Sequence, residues 1–198
     1  MARPIAKDHD EKRALILERA AHLFAQEGFG GASVNSLAQA CGISKANIYH
    51  YYSGKDAILY DLLEGHLRGL RDRLRGLDLA RLSPDQAFDR TVTEILLAYE
   101  GADDAHRVQA NAIGYLDAPQ QQKLRAYQRD LVECLAARLL AIAPKTLGAD
   151  PAKLRAATMS VFGMLNWFYM WQPQANSTAR KDYAKLVCQL SLNGIKAV

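Results

Sequence analysis

The residues best suited to chemistry lie between Ser33 and Lys55. Over 44–51 the order is Ser-Lys-Ala-Asn-Ile-Tyr-His-Tyr. A helix turns about 100° per residue, so placing Ile48 at the centre of its buried side puts Ser44 and Tyr52 just to either side. Ala46 and His50 then fall roughly opposite, flanked by Asn47 and Tyr49. One small residue among several hydrogen-bonding side chains suits recognition of base edges in the major groove of double-stranded DNA. Asn47 and His50 can pair with base edges, and Lys45 can reach an acceptor on a base or a phosphate. Ala46 allows close approach and can touch a thymine methyl. Ser33, Ser44, Tyr49, Tyr51 and Lys55 can supply hydroxyls, helix-start N–H groups and an ammonium to the flanking phosphates. The plain alternative is a short core helix ending in aromatics, and the polarity of the outer face speaks against it.

Other chemistries have no anchor. His9, His22, His50, His66 and His106 are dispersed, and none lies in a nucleophile or metal motif. Without a glycine-rich phosphate loop or a Gly-x-Ser-x-Gly elbow, an enzyme is not expected. Cys41, Cys134 and Cys188 are odd in number and widely spaced, which argues against a disulfide framework and a zinc site. No cofactor or metal is expected. The net charge of +4 permits an anionic partner without requiring one.

The elements that position these residues are helical. Residues 33–41 have the serine cap and apolar spacing of a two-turn helix (Val34, Leu37, Ala38, Cys41), stopped by Gly42. Ser44 caps a second short helix through Tyr51, completing a helix-turn-helix. Ahead of it, Ile16, Ala20, Leu23 and Phe24 form the stripe of a helix from about Asp10 to Glu27, ended at Gly28. Ser53 to Asp56 has the form of a capping box opening a helix to about Arg75. Ser83-Pro84 and Asp150-Pro151 pair a cap with proline at the first helical position. Further helices are expected over about 103–115, 120–143 and 178–196, with a chain break at Pro144. The fold class is all-α: an N-terminal three-helix domain over 1–54 and a larger helical bundle over 55–198, about nine helices in all.

The chain has 198 residues, 49% hydrophobic and 23% charged, enough for a sizeable core. No run reaches the roughly 18 uncharged apolar residues of a membrane span, and residues 1–8 turn charged too early for a secretory signal. A soluble, cytoplasmic protein with no membrane partner is expected.

Residues 12–63 resemble the N-terminal domain of the TetR family of bacterial transcriptional regulators. The resemblance rests on Gly28-Phe-x-Gly-x-Ser, Leu37-Ala-x-x-x-Gly-Ile-Ser and Tyr49-His-Tyr-Tyr-x-x-Lys-Asp. It implies a homodimeric repressor, nucleoid-associated when bound to its operator, with a small-molecule effector in a helical C-terminal domain. It also implies operator reading by the helix from Lys45 to Tyr51 and phosphate contacts at Ser33, Tyr49 and Lys55. Ala46 and Asn47 stand where the family commonly has glycine and threonine, which leaves the operator bases open.

For the second domain, 161–171 is the most aromatic stretch and apolar nearly all round, so burial on several sides is expected. It reads as a core helix that also packs in a dimer interface, or as one wall of an effector cavity. Candidates for the cavity are Tyr99, Tyr115, Tyr127, Phe162, Asn166, Trp167 and Tyr169. The run Trp-Phe-Tyr-Met-Trp followed by proline looks similar to family members that respond to acyl-CoA thioesters or other lipid-like catabolites. By resemblance in position, the last two helices form the dimer contact, with Leu186, Val187, Leu190 and Ile195 facing the partner. Arg68, Arg71, Arg73, Arg75 and Arg81 are either a solvated helix face or an attraction for a phosphorylated ligand. A helical binding protein without DNA binding is the remaining alternative.

Overall fold

The computed structural model describes the backbone of residues 3–195 and side chains from residue 9 to residue 195. Among the described residues there are ten α-helices, one 3-10 turn and no strand. The helices are α1 (Arg3–Gly31), α2 (Val34–Cys41), α3 (Lys45–Tyr51), α4 (Lys55–Arg75), α5 (Pro84–Ala98) and α6 (Asp103–Ala112). A 3-10 turn (Ile113–Tyr115) precedes α7 (Ala118–Ile142), α8 (Pro144–Gly148), α9 (Pro151–Trp171) and α10 (Ser177–Ile195).

Two compact units divide the chain, one of residues 1–66 with 104–124 and one of 67–103 with 125–198. The core of the first is the stripe of α1, with Ile16, Ala20 and Phe24 buried beside Leu37 of α2, Ile48 of α3 and Ile58, Leu59 and Leu63 of α4. The second unit has α10 packed mainly on α5, with Phe88, Val92, Ile95, Ala184, Val187 and Leu165 of α9 fully or almost fully buried.

Local chemistry accounts for most helix ends. Gly28 carries φ of 73°, a backbone state that breaks the regular course of α1 where a β-carbon would be strained. Ser83 and Gln86 close a reciprocal capping box ahead of Pro84, and the Asp150 carboxylate accepts from the Lys153 N–H ahead of Pro151. Three local expectations need correction. α1 begins at Arg3, a full seven residues before Asp10. α4 starts one residue later than Ser53 suggested, with the Gly54 carbonyl accepting from the Ile58 N–H. Pro144 does end α7, yet it also sits at the first position of α8, where its missing N–H is harmless.

Candidate nucleic-acid interface

Each short helix of the 33–51 region is fixed at both ends. Ser33 Oγ accepts from the Ser36 N–H at 3.0 Å while Ser36 Oγ accepts from the Ser33 N–H at 3.0 Å. Gly42 then takes φ of 66° and ψ of 27°, its N–H donating to the last carbonyls of α2. This left-handed residue makes the tight turn into α3. Ser44 Oγ accepts from the Asn47 N–H at 3.2 Å and caps α3.

The faces of α3 divide sharply. Ile48 is 1% exposed and Tyr52 is 7% exposed, whereas Lys45, Ala46, Asn47, Tyr49 and His50 all face solvent. The Asn47 amide and His50 ring are therefore available to base edges, with Ala46 leaving room between them. Lys45 Nζ lies 5.8 Å from the centre of the Tyr49 ring one turn on. Tyr51 is half-buried, its ring between those of His9 (4.7 Å) and His50 (5.5 Å).

A network with no local signature in the sequence holds α3 in place. Arg13 of α1 grips Asp61 of α4 bidentately, Nη2 to Oδ1 at 2.7 Å and Nε to Oδ2 at 3.0 Å. The Tyr52 hydroxyl, at the end of α3, donates to the same carboxylate. Burial and the hydrogen bond to the Asp61 carboxylate push the Tyr52 phenol well above its ordinary range, so it stays a neutral donor. Sequence separations of 39 and 48 residues leave no spacing by which to find these contacts.

Lys55 has an unexpected commitment. Its Nζ donates to the Phe29 carbonyl at 2.6 Å and to the Ala32 carbonyl at 2.8 Å, and lies 4.4 Å from the centre of the Phe29 ring. The ammonium thereby satisfies carbonyls at and just beyond the C-terminal end of α1, where the helix dipole is negative. Two of its three N–H donors are used, which leaves one for a phosphate.

The expected effector residues do not all converge. Tyr99, Tyr127, Phe162, Asn166 and Tyr169 lie in the second unit, Asn166 half-buried and the others buried. The Tyr99 hydroxyl donates to Asn166 Oδ1 at 3.0 Å, and the Tyr127 ring lies 4.5 Å from the Arg71 guanidinium carbon. Tyr115 belongs to the first unit and is 58% exposed, its ring 5.0 Å from that of Phe29, so it is no wall of a cavity in the second. Trp167 is 62% exposed and shares an outward arc of α9 with Met159 and Met170. The expectation that this helix is buried on several sides therefore fails for the single chain. Val187 is fully buried in the protomer's own core and is not free to face a partner. Leu186 and Leu190 are exposed, and Ile195 is half-buried in a groove of about 210 Å³ between α9 and α10.

A helix-turn-helix with an outward polar reading face, followed by a helical second unit, defines a class of regulatory DNA-binding protein. Residues 16–62 match the family model described as bacterial regulatory proteins, tetR family, and residues 81–195 match a tetracyclin repressor-like C-terminal domain. The chain belongs to the TetR family.

A TetR-family transcriptional regulator from Bordetella parapertussis has 33% identity over 94% of this chain and 96% of its own, with a TM-score of 0.86. The repressor KstR2 of Rhodococcus jostii is 30% identical over 109 residues, 54% of this chain and 52% of that protein. The chain spans no more than about half the length of such curated relatives. AibR, solved with isovaleryl coenzyme A and operator DNA, shares the fold at 19% identity and a TM-score of 0.72, covering 91% of this chain and 98% of its own. No helix among the described residues is long and apolar enough to cross a membrane.

Proposed function

We propose that this chain is an effector-responsive transcriptional repressor, acting by binding and not by turnover. Residues 1–54 contact DNA and residues 55–198 hold the effector and the dimer contact. As a homodimer in the cytoplasm, it presents two copies of α3 to successive major-groove faces of a pseudo-palindromic operator. The observation that carries this reading is the face of α3, where Ile48 is buried and Lys45, Ala46, Asn47, Tyr49 and His50 are all exposed. Two copies are required because a single seven-residue helix buries too little surface for a selective contact. The exposed Met159, Trp167, Met170, Leu186 and Leu190 support the last two helices as the dimer contact, since monomers rarely leave so many large apolar side chains in water.

The effector is a small apolar or amphipathic metabolite, with acyl-CoA-like thioesters the favoured class. The coenzyme A thioester held by AibR on the same fold supports this. Within the first unit, Tyr115 packs on Phe29, and the Phe29 carbonyl holds Lys55 at the start of α4. A shift of the 3-10 turn would thus reach the clamp beside the reading helices. The effector moves the equilibrium only by its differential affinity for the bound and released arrangements.

Fluorescence anisotropy with duplexes from the chain's own promoter region tests the DNA half. Asn47→Ala and His50→Ala should each relax preference at particular base pairs by about 1–3 kcal/mol. Equal loss on operator and random DNA would refute their role as base readers. If no metabolite changed operator affinity at fixed salt, the sensing half would fall and the DNA half would stand.

A further inference from the structure

A cavity of about 340 Å³ lies in the second unit between the C-terminal part of α4 and the middle of α7. Three arginines line it: Arg71 and Arg75, one helical turn apart on α4, and Arg138 on α7. Two are already matched with carboxylates. Arg71 pairs with Asp72, and Arg75 Nη2 lies 3.0 Å from Asp130 Oδ2. Arg138 differs. Its Nε is buried with no hydrogen-bond partner, and it takes part in no ion pair among the described residues. A buried donor on a cation is costly when it lacks an acceptor, so the Arg138 guanidinium gains by turning towards an anion that enters the cavity. Leu74, Leu77 and Leu131 line the same cavity and offer it an apolar wall. Of the lining carboxylates, Asp130 is neutralised by Arg75 and Glu133 is exposed.

We propose that this cavity binds a small organic anion, its carboxylate or phosphate held by Arg138 with Arg71 and Arg75, and its short apolar body against Leu74, Leu77 and Leu131. The guanidinium fork matches two oxygens of either head group, and the leucines limit the water that would compete for them. The volume lies at the lower end of small-molecule sites, so the occupant is a compact anion or the anionic end of a larger molecule. The site stands apart from the regulator reading, and only its consequence for DNA rests on that reading.

Isothermal titration of the full-length protein without DNA, using octanoate and octyl phosphate as probes, tests the site. Saturable binding of at least one is expected, and the tighter of the two identifies the head group. Affinity should fall about tenfold or more in Arg138→Met. It should be unchanged in Arg129→Ala, which removes a charge from an exposed position of α7. Should Arg138→Met fail to fold, Arg138→Lys carries the same test, because it keeps the charge and lacks the guanidinium fork. Absence of binding by both probes overturns the proposal, and so does equal binding by the Arg138 variants. Binding that leaves operator affinity unchanged supports the cavity and counts against the effector reading alone. Absence of binding while another metabolite releases DNA overturns the cavity and leaves that reading intact.

Discussion

Replacing Lys55 by methionine separates two roles that the sequence alone merges. The substitution keeps most of the side-chain volume and removes the ammonium that holds the Phe29 and Ala32 carbonyls at 2.6 and 2.8 Å. A hydrogen bond to a charged group contributes about 1.5–3 kcal/mol, so two give an upper bound near 3–6 kcal/mol. Lys55 is only half-buried, and water can reach the freed carbonyls. Solvent replacement of that kind brings the expected loss to about 2 kcal/mol. For a chain of this size that is a fall in Tm of roughly 4–8 °C. Thermal unfolding followed by circular dichroism measures it directly.

The same variant reports on DNA. One N–H of Lys55 remains for a phosphate, and losing one such contact should reduce the slope of log affinity against log salt by about 0.9 per subunit. Anisotropy at several salt concentrations, below the variant's unfolding range, gives that slope. If stability falls and the slope is unchanged, Lys55 is a clamp and the phosphate contact expected from its family position is wrong. If stability matches the parent protein, the carbonyl contacts contribute nothing and the account of how α1 and α2 are held beside α4 is refuted.

Three further perturbations probe the rest of the molecule. Arg180 is 1% exposed and spans Asp103, at 2.7 Å, and the Ala175 carbonyl, at 2.9 Å. Arg180→Met should cost about 3 kcal/mol in urea unfolding by leaving the Asp103 carboxylate only the Gln174 N–H, with part recovered by adding Asp103→Asn, and a neutral single variant would refute it. Burial beside His106 lowers the His66 pKa from 6.5 to about 4, so the folded state disfavours its protonation. Its contribution is complete above pH 6.5 and is lost as pH falls towards 4, at most about 3 kcal/mol, so His66→Gln should flatten that part of the stability profile. Leu186→Glu with Leu190→Glu should yield monomers in analytical ultracentrifugation and weaken operator binding, and an intact dimer would reject the assigned contact.

What could be read from the sequence was what local chemistry dictates. Ser33, Ser44, Ser83 and Asp150 cap their helices because the accepting side chain and the donating N–H are only three residues apart. Gly42 stops α2 because its left-handed conformation is a property of one residue. The outward face of α3 followed from a single rotation per residue once Ile48 was placed inside. By contrast, Arg13 of α1, Tyr52 just after α3 and Asp61 of α4 come together only through the packing of those helices. Lys55 shows the same limit. Its charge is evident in the sequence, but the two carbonyls that occupy it are 23 and 26 residues away.

Helices apolar on more than one side set a different limit, and it bears on assembly. In α10, Leu186 and Val187 are adjacent apolar residues about 100° apart, and hydrophobicity alone cannot assign one to the core and one to a partner. Burial separates them: Val187 is fully covered within its own chain, and Leu186 remains 49% exposed. The same division runs through α9, where Val161, Leu165 and Phe168 are buried while Met159, Trp167 and Met170 stand in solvent. A sequence rich in apolar residues on both arcs therefore folds with one arc satisfied and one left over. Covering the second arc with its own copy would remove that apolar surface from water, and the same pairing would supply the second reading helix of the proposed operator contact.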